Sequence, residues 1–134
     1  IQVAFQSHSN SREYWRLARY EAPGGFIGPH RDNNSAATHH RNFTLVINLN
    51  AGEYEGGELV FPEFGDMHYA PERGTAILWS AALLHEVRPV TQGTRYVAAV
   101  HLSLNSQAGR FKAAGPRTGR GCLEDIGMAG PALR

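Results

Sequence analysis

The sequence predicts an all-β domain, a sandwich or a barrel. Strand-length runs rich in β-branched and aromatic residues recur at short intervals, with glycine and proline between them. Residues 43–50 alternate cleanly between two faces, and neither a heptad pattern nor an internal repeat competes with that period. A chain of 134 residues has room for one hydrophobic core and not comfortably for two.

The elements follow in order. Residues 1–13 are polar and weakly patterned, compatible with a short helix or an extended lead-in. Residues 14–20, Tyr-Trp-Arg-Leu-Ala-Arg-Tyr, form the first clear strand; Pro23-Gly24-Gly25 turns the chain, and residues 26–32 return it through Gly28-Pro29. The polar stretch 33–41 is a loop. In the strand 43–50, Phe43, Leu45, Ile47 and Leu49 share one face. Thr44, Val46, Asn48 and Asn50 share the other, a more polar face suited to the wall of a wet pocket. Gly56-Gly57 serves a turn or bulge before a short strand at 58–62, which Pro62 ends. Residues 74–79 and 84–88 are further strands, Gln92-Gly93 is expected to be a tight turn, and 95–104 is the last long strand. Glycines, prolines and arginines then scatter without apolar period, so residues 106–134 read as a flexible or loosely docked tail on a domain spanning 1–105, with its core at about 15–104.

Composition narrows the function. A net charge of +1 and the lack of an aromatic platform argue against nucleic acid as a partner. No apolar run reaches membrane-spanning length, and the first residues carry no secretory pattern. The single cysteine, Cys122, rules out an internal disulfide and a thiolate zinc cluster, and a reducing, cytoplasmic setting is expected. The chain opens Ile-Gln-Val with no methionine, which reads as an excised domain or processed fragment.

The chemistry concentrates in His30-Arg31-Asp32, followed on a distant strand by His85 and then by Arg95. Side chains two apart on an extended segment project to the same face, so His30 and Asp32 can meet one ion while Arg31 points away. Two imidazoles and a carboxylate make up the ligand set of a facial-triad iron site, which leaves other positions on the metal open. Alone, a His-X-Asp is a weak signal in a chain with seven histidines. Arg95 adds a planar fork matched to a carboxylate. Thr44 and Asn48 are candidates for the pocket wall, Trp79 for packing, and His101, on the face of Arg95, for a hydrogen-bonded structural role.

Several blocks agree with one family in order and spacing over about residues 15–104. They are Arg19-Tyr20, Gly28-Pro29-His30-Arg31-Asp32-Asn33, Tyr54-Glu55-Gly56-Gly57-Glu58-Leu59-Val60-Phe61-Pro62, Pro71-Glu72-Arg73-Gly74-Thr75-Ala76, Leu84-His85-Glu86-Val87-Arg88-Pro89-Val90 and Gly93-Thr94-Arg95-Tyr96. On these blocks the chain resembles the 2-oxoglutarate- and Fe(II)-dependent dioxygenases, within them the prolyl 4-hydroxylase-like catalytic domain. The resemblance implies a double-stranded β-helix, a jelly-roll or cupin-like barrel, here with little flanking helix. It implies Fe(II) on His30, Asp32 and His85, and 2-oxoglutarate held by Arg95 and Tyr20, where many prolyl hydroxylase relatives carry lysine in place of the arginine. It also implies O2 and a small-molecule or peptidyl substrate as partners, with ascorbate as reductant. The expected reaction is hydroxylation of an aliphatic C–H bond, on a prolyl or other amino-acid side chain, with release of succinate and CO2. Halogenating relatives replace the carboxylate with a small residue, so Asp32 favours hydroxylation. The competing readings are a cupin-like metalloprotein and a non-catalytic iron or 2-oxoglutarate sensor.

Overall fold

The computed structural model describes residues 11–104. The expected tail at 106–134 lies outside the described residues. Ten strands follow one another: β1 (Ser11–Arg12), β2 (Arg16–Glu21), β3 (Ile27–His30), β4 (Phe43–Asn48), β5 (Tyr54–Gly56), β6 (Leu59–Val60), β7 (His68–Tyr69), β8 (Ala76–Ser80), β9 (His85–Val87) and β10 (Val90–Ser103). Among the described residues, helix is confined to one 3-10 turn, Pro62–Phe64, and no helix is long and apolar enough to cross a membrane.

Hydrogen bonding divides the strands into two sheets and does not close them into one cylinder. The larger runs β1-β10-β4-β8, with β2 and β5 also paired to β10; the smaller runs β3-β9-β6-β7. All pairings are antiparallel. Ala18, Tyr20, Trp79 and Val97 of the larger sheet meet Leu59 and Val87 of the smaller one, with Phe61 and Val90 completing the core. Val90 and Val97 are almost fully buried, and each such side chain contributes about 1.5–3 kcal/mol.

The alternation of β4 has the inside and outside that its chemistry suggested. Thr44 and Asn48 are buried and Val46 is half-buried, all three lining the space between the sheets; Leu49, just past the strand, is exposed. The polar face therefore turns inward.

Two expectations change. Gln92 and Gly93 do not make a tight turn; they lie inside β10, where the pairing with β5 shifts register between Val90 and Gln92. A glycine at positive φ suits a bulge as well as a hairpin, so the dipeptide alone could not separate them. The first clear strand begins at Arg16, leaving Tyr14 and Trp15 exposed before it.

Gly57 shapes the interior directly. It has φ +71°, and a Cβ there would sit 2.9 Å from Cδ of Arg95 and 3.0 Å from Cγ2 of Val90. Gly57→Ala is expected to lower stability by about 1–3 kcal/mol, since it combines a left-handed backbone with overpacking. Denaturant unfolding measures this loss.

Candidate active site

His30 ends β3 and His85 begins β9, and the two are direct partners in the antiparallel register. Their ring centroids lie 4.3 Å apart. Asp32 is held beside them because its N–H donates to the carbonyl of Ala81 at 2.9 Å. One carboxylate oxygen, Oδ1, lies 3.4 Å from Nε2 of His30, and Oδ2 lies 3.6 Å from Nε2 of His85. One donor atom from each residue lies within 4.8 Å of the other two. Adjacent donors on a first-row divalent ion with bonds of roughly 2.1 Å stand about 3 Å apart, so the trio is close to a ligating arrangement.

The backbone fixes which ring nitrogens face that point. Nδ1 of His30 is 2.9 Å from the carbonyl of Gly28, and Nδ1 of His85 is 3.0 Å from that of Leu83, each two residues back. A carbonyl only accepts, so both Nδ1 atoms carry a proton and both Nε2 atoms turn toward the Asp32 carboxylate, each offering a lone pair when its ring is neutral. Burial raises the Asp32 pKa, but hydrogen bonds with His30 and Thr44 and the neighbouring imidazoles outweigh it and hold the carboxyl far below the usual range. Hydrogen bonding to Asp32 pushes His30 up, against burial. Burial pushes His85 down, keeping it a neutral donor.

Arg95 and Tyr20 meet because they are cross-strand partners between β10 and β2. Both are buried, with the guanidinium carbon 5.2 Å from the Tyr20 ring centre and 6.0 Å from that of Tyr54. Among the described residues Nε and Nη1 of Arg95 are buried without a hydrogen-bond partner, and so is Oδ1 of Asn48, whose Nδ2 donates to the Tyr54 hydroxyl at 2.6 Å. A buried cation with two unused donors asks for an anionic ligand with a planar pair of acceptors. Burial raises the Tyr20 pKa, so its hydroxyl remains protonated and able to donate. The cavity that contains His30, Asp32 and His85 also contains Tyr20, Asn48 and Arg95.

Sequence reasoning located these six residues but missed two supporting interactions. The first belongs to Glu63, which accepts from Arg31 through both oxygens, at 2.8 and 3.1 Å, and from the N–H of Leu84 at 3.0 Å. Arg31 also donates to the carbonyl of Ala82. Glu63 thus joins the segment bearing His30 and Asp32 to the one bearing His85. The second belongs to Thr44, which lines the pocket as expected and in addition donates to Oδ2 of Asp32 at 2.5 Å and lies 3.0 Å from Nδ1 of His101. Burial and the nearby Arg41 push His101 down to about 4, so its ring is neutral near pH 7. Trp79 packs its ring 5.0 Å from His85, consistent with the packing role expected of it. His39 and His68 are bonded elsewhere and take no part.

Residues 15–103 match the family model of the 2OG-Fe(II) oxygenase superfamily. A PKHD-type hydroxylase of Delftia acidovorans is 37% identical over 91 residues, covering 62% of this chain and 40% of that protein. An oxidoreductase of the 2OG-Fe(II) oxygenase family from Burkholderia pseudomallei superposes with a TM-score of 0.57 at 34% identity, covering 66% of this chain and 41% of the other. The viral collagen prolyl hydroxylase of Paramecium Bursaria Chlorella virus-1, solved with 2OG, gives a TM-score of 0.59 at 27% identity, covering 71% and 60% respectively. The chain spans about 40% of the length of the curated relatives it matches.

Proposed function

The chain belongs to the 2OG-Fe(II) oxygenase superfamily, and from that premise we propose that it hydroxylates an aliphatic C–H bond, with 2-oxoglutarate as co-substrate. In this reading residues 1–105 form the oxygenase domain, and the two sheets are the halves of a double-stranded β-helix. The observation that carries the proposal is one cavity holding both a His-Asp-His donor trio and a buried guanidinium with unused donors.

The residues fit the groups that the family requires. Two imidazoles and an anionic carboxylate are suitable donors for Fe(II), and the unpartnered atoms of Arg95 suit the distal carboxylate of 2-oxoglutarate. Fe(II) with 2-oxoglutarate and O2 supplies the oxidation of an unactivated C–H bond, the co-substrate leaving as succinate and CO2. His30, Asp32 and His85 would hold the metal, and the backbone hydrogen bonds of the two imidazoles turn each Nε2 toward the Asp32 carboxylate. Arg95 and the Tyr20 hydroxyl orient the co-substrate, while Ile27, Leu59 and Val87 line the same cavity with apolar surface that limits water. Ascorbate, as reductant, belongs to the same reading.

The substrate class is an amino-acid side chain, prolyl in a peptide foremost. Support comes from the likeness to a viral collagen prolyl hydroxylase and from the loop at 33–41, whose Asn34, Ser35, Thr38 and Arg41 line the cavity beside Arg31. Incubation with Fe(II), 2-oxoglutarate, O2 and ascorbate is expected to yield succinate, and prolyl peptides are expected to gain the mass of one oxygen. Absence of succinate under all of these conditions would return the chain to the cupin-like or sensor readings.

A further inference from the structure

We infer that Thr44 and His101 are a positioning pair that restrains the Asp32 carboxylate to bind metal through one oxygen. The inference rests on the iron-binding reading above. Thr44 and His101 are direct cross-strand partners of β4 and β10, whereas Asp32 follows β3 of the other sheet. Their contact is therefore a bridge from the larger sheet to a loop of the smaller one. Both residues are buried, at 3% and 8% exposure, so water does not compete strongly for these hydrogen bonds.

Counting hydrogens fixes the direction of the chain. An ionised carboxylate only accepts, so the single hydroxyl hydrogen of Thr44 goes to Oδ2 of Asp32, 2.5 Å away. Thr44 then has none left for His101, 3.0 Å away, so Nδ1 of His101 carries the proton and donates. The order is His101 to Thr44 to Asp32. Each member holds the next in place, and the Thr44 hydroxyl cannot rotate away without losing both partners. The occupied Oδ2 is the oxygen near His85, while Oδ1 faces His30 without this restraint.

This arrangement matters for the count of open positions. Two imidazoles and a single carboxylate oxygen would leave the other metal positions open, as a facial-triad site requires. A carboxylate that swung to bind through both oxygens would take one of the positions the reaction needs. A hydroxyl bonded to Oδ2 opposes that swing, as outer partners of ligating carboxylates do in metal sites generally.

The test uses the full chain with Mn(II) or Co(II) as probe, in the wild type and in Thr44→Val, Thr44→Ser, His101→Phe and Asp32→Ala. Valine keeps the shape of threonine but removes the hydroxyl. Thr44→Val is expected to bind Mn(II) roughly 10–100-fold more weakly and to change the visible spectrum of bound Co(II), with Thr44→Ser restoring both. His101→Phe is expected to lose less, and to lose nothing further when combined with Thr44→Val, because it acts through that hydroxyl. Circular dichroism and melting establish that each variant is folded; if Thr44→Val is not, Thr44→Ser and His101→Phe still decide. Mn(II) affinity in Thr44→Val equal to wild type, or losses that add fully in the double variant, would overturn the inference while leaving the iron site intact. A wild type that binds neither probe overturns the iron-binding reading itself, and this inference with it.

Discussion

Asp32→Ala is expected to abolish hydroxylation and to weaken metal binding by more than about 100-fold, beyond what loss of an outer partner costs. Asp32 is the only anionic member of the donor trio. Its pKa is held far below the ordinary carboxylate range despite burial, because His30, Thr44 and the other imidazoles favour the charged form. Removing it leaves two neutral imidazoles to hold a dication, and it strips Thr44 of its acceptor and His30 of the group that orients its ring edge. Calorimetric titration with Fe(II) under anaerobic conditions, alongside succinate release in air, measures both effects. Retained turnover in this variant would remove Asp32 from the ligand set and reopen the cupin-like reading. A halogenase-like outcome has a separate signature: chloride-dependent turnover appearing only once the carboxylate is gone.

Much of this site was legible in the sequence because it depends on local geometry. His30 and Asp32 are two apart at the end of an extended segment, and strand geometry alone predicts that they share a face. Arg95 and Tyr20 could be read as candidates from the family blocks, and their meeting follows from the register of β2 on β10. The inward polar face of β4 was likewise visible, as an alternation in which Thr44 and Asn48 fall together.

The supports were not legible, because they depend on register between distant strands. Nothing local in Pro62-Glu63-Phe64 says that Glu63 will reach Arg31 and Leu84; the bridge exists only because β3 and β9 are neighbours. His101 was placed on the face of Arg95 with a structural role, but its partner could be named only once residues 97–102 were set against β4. Strand β7 was missed because His68-Tyr69 is two residues long and exposed, too short to show a period. Gln92-Gly93 failed as a turn for a different reason: positive φ is a requirement that bulges and hairpins share, and the pairing partners of β10 decide between them.

Arg95→Ala is expected to raise the apparent KM for 2-oxoglutarate roughly 10–100-fold while leaving kcat at saturating co-substrate much less affected. A hydrogen bond to a charged group is worth about 1.5–3 kcal/mol, and each 1.4 kcal/mol is tenfold in binding. Loss of binding that is equal in the ground and transition states appears in KM, which is the pattern for a residue gripping the far end of a co-substrate remote from the reacting atoms. Among the described residues Nε and Nη1 of Arg95 have no hydrogen-bond partner, so alanine costs the fold the arginine's packing and its hydrogen bond with Tyr20 but no bond at those two nitrogens. The surrounding architecture is consistent with such a grip: Gly57 leaves room against the Arg95 side chain, and Tyr20 is its cross-strand partner. Arg95→Lys keeps the charge but loses the fork, and an intermediate KM is expected. Succinate release measured across a range of 2-oxoglutarate, with the melting temperature as a control, separates the possibilities. A KM unchanged in the alanine variant would mean that the co-substrate is anchored elsewhere, while a collapse in melting temperature would make Arg95 a structural residue.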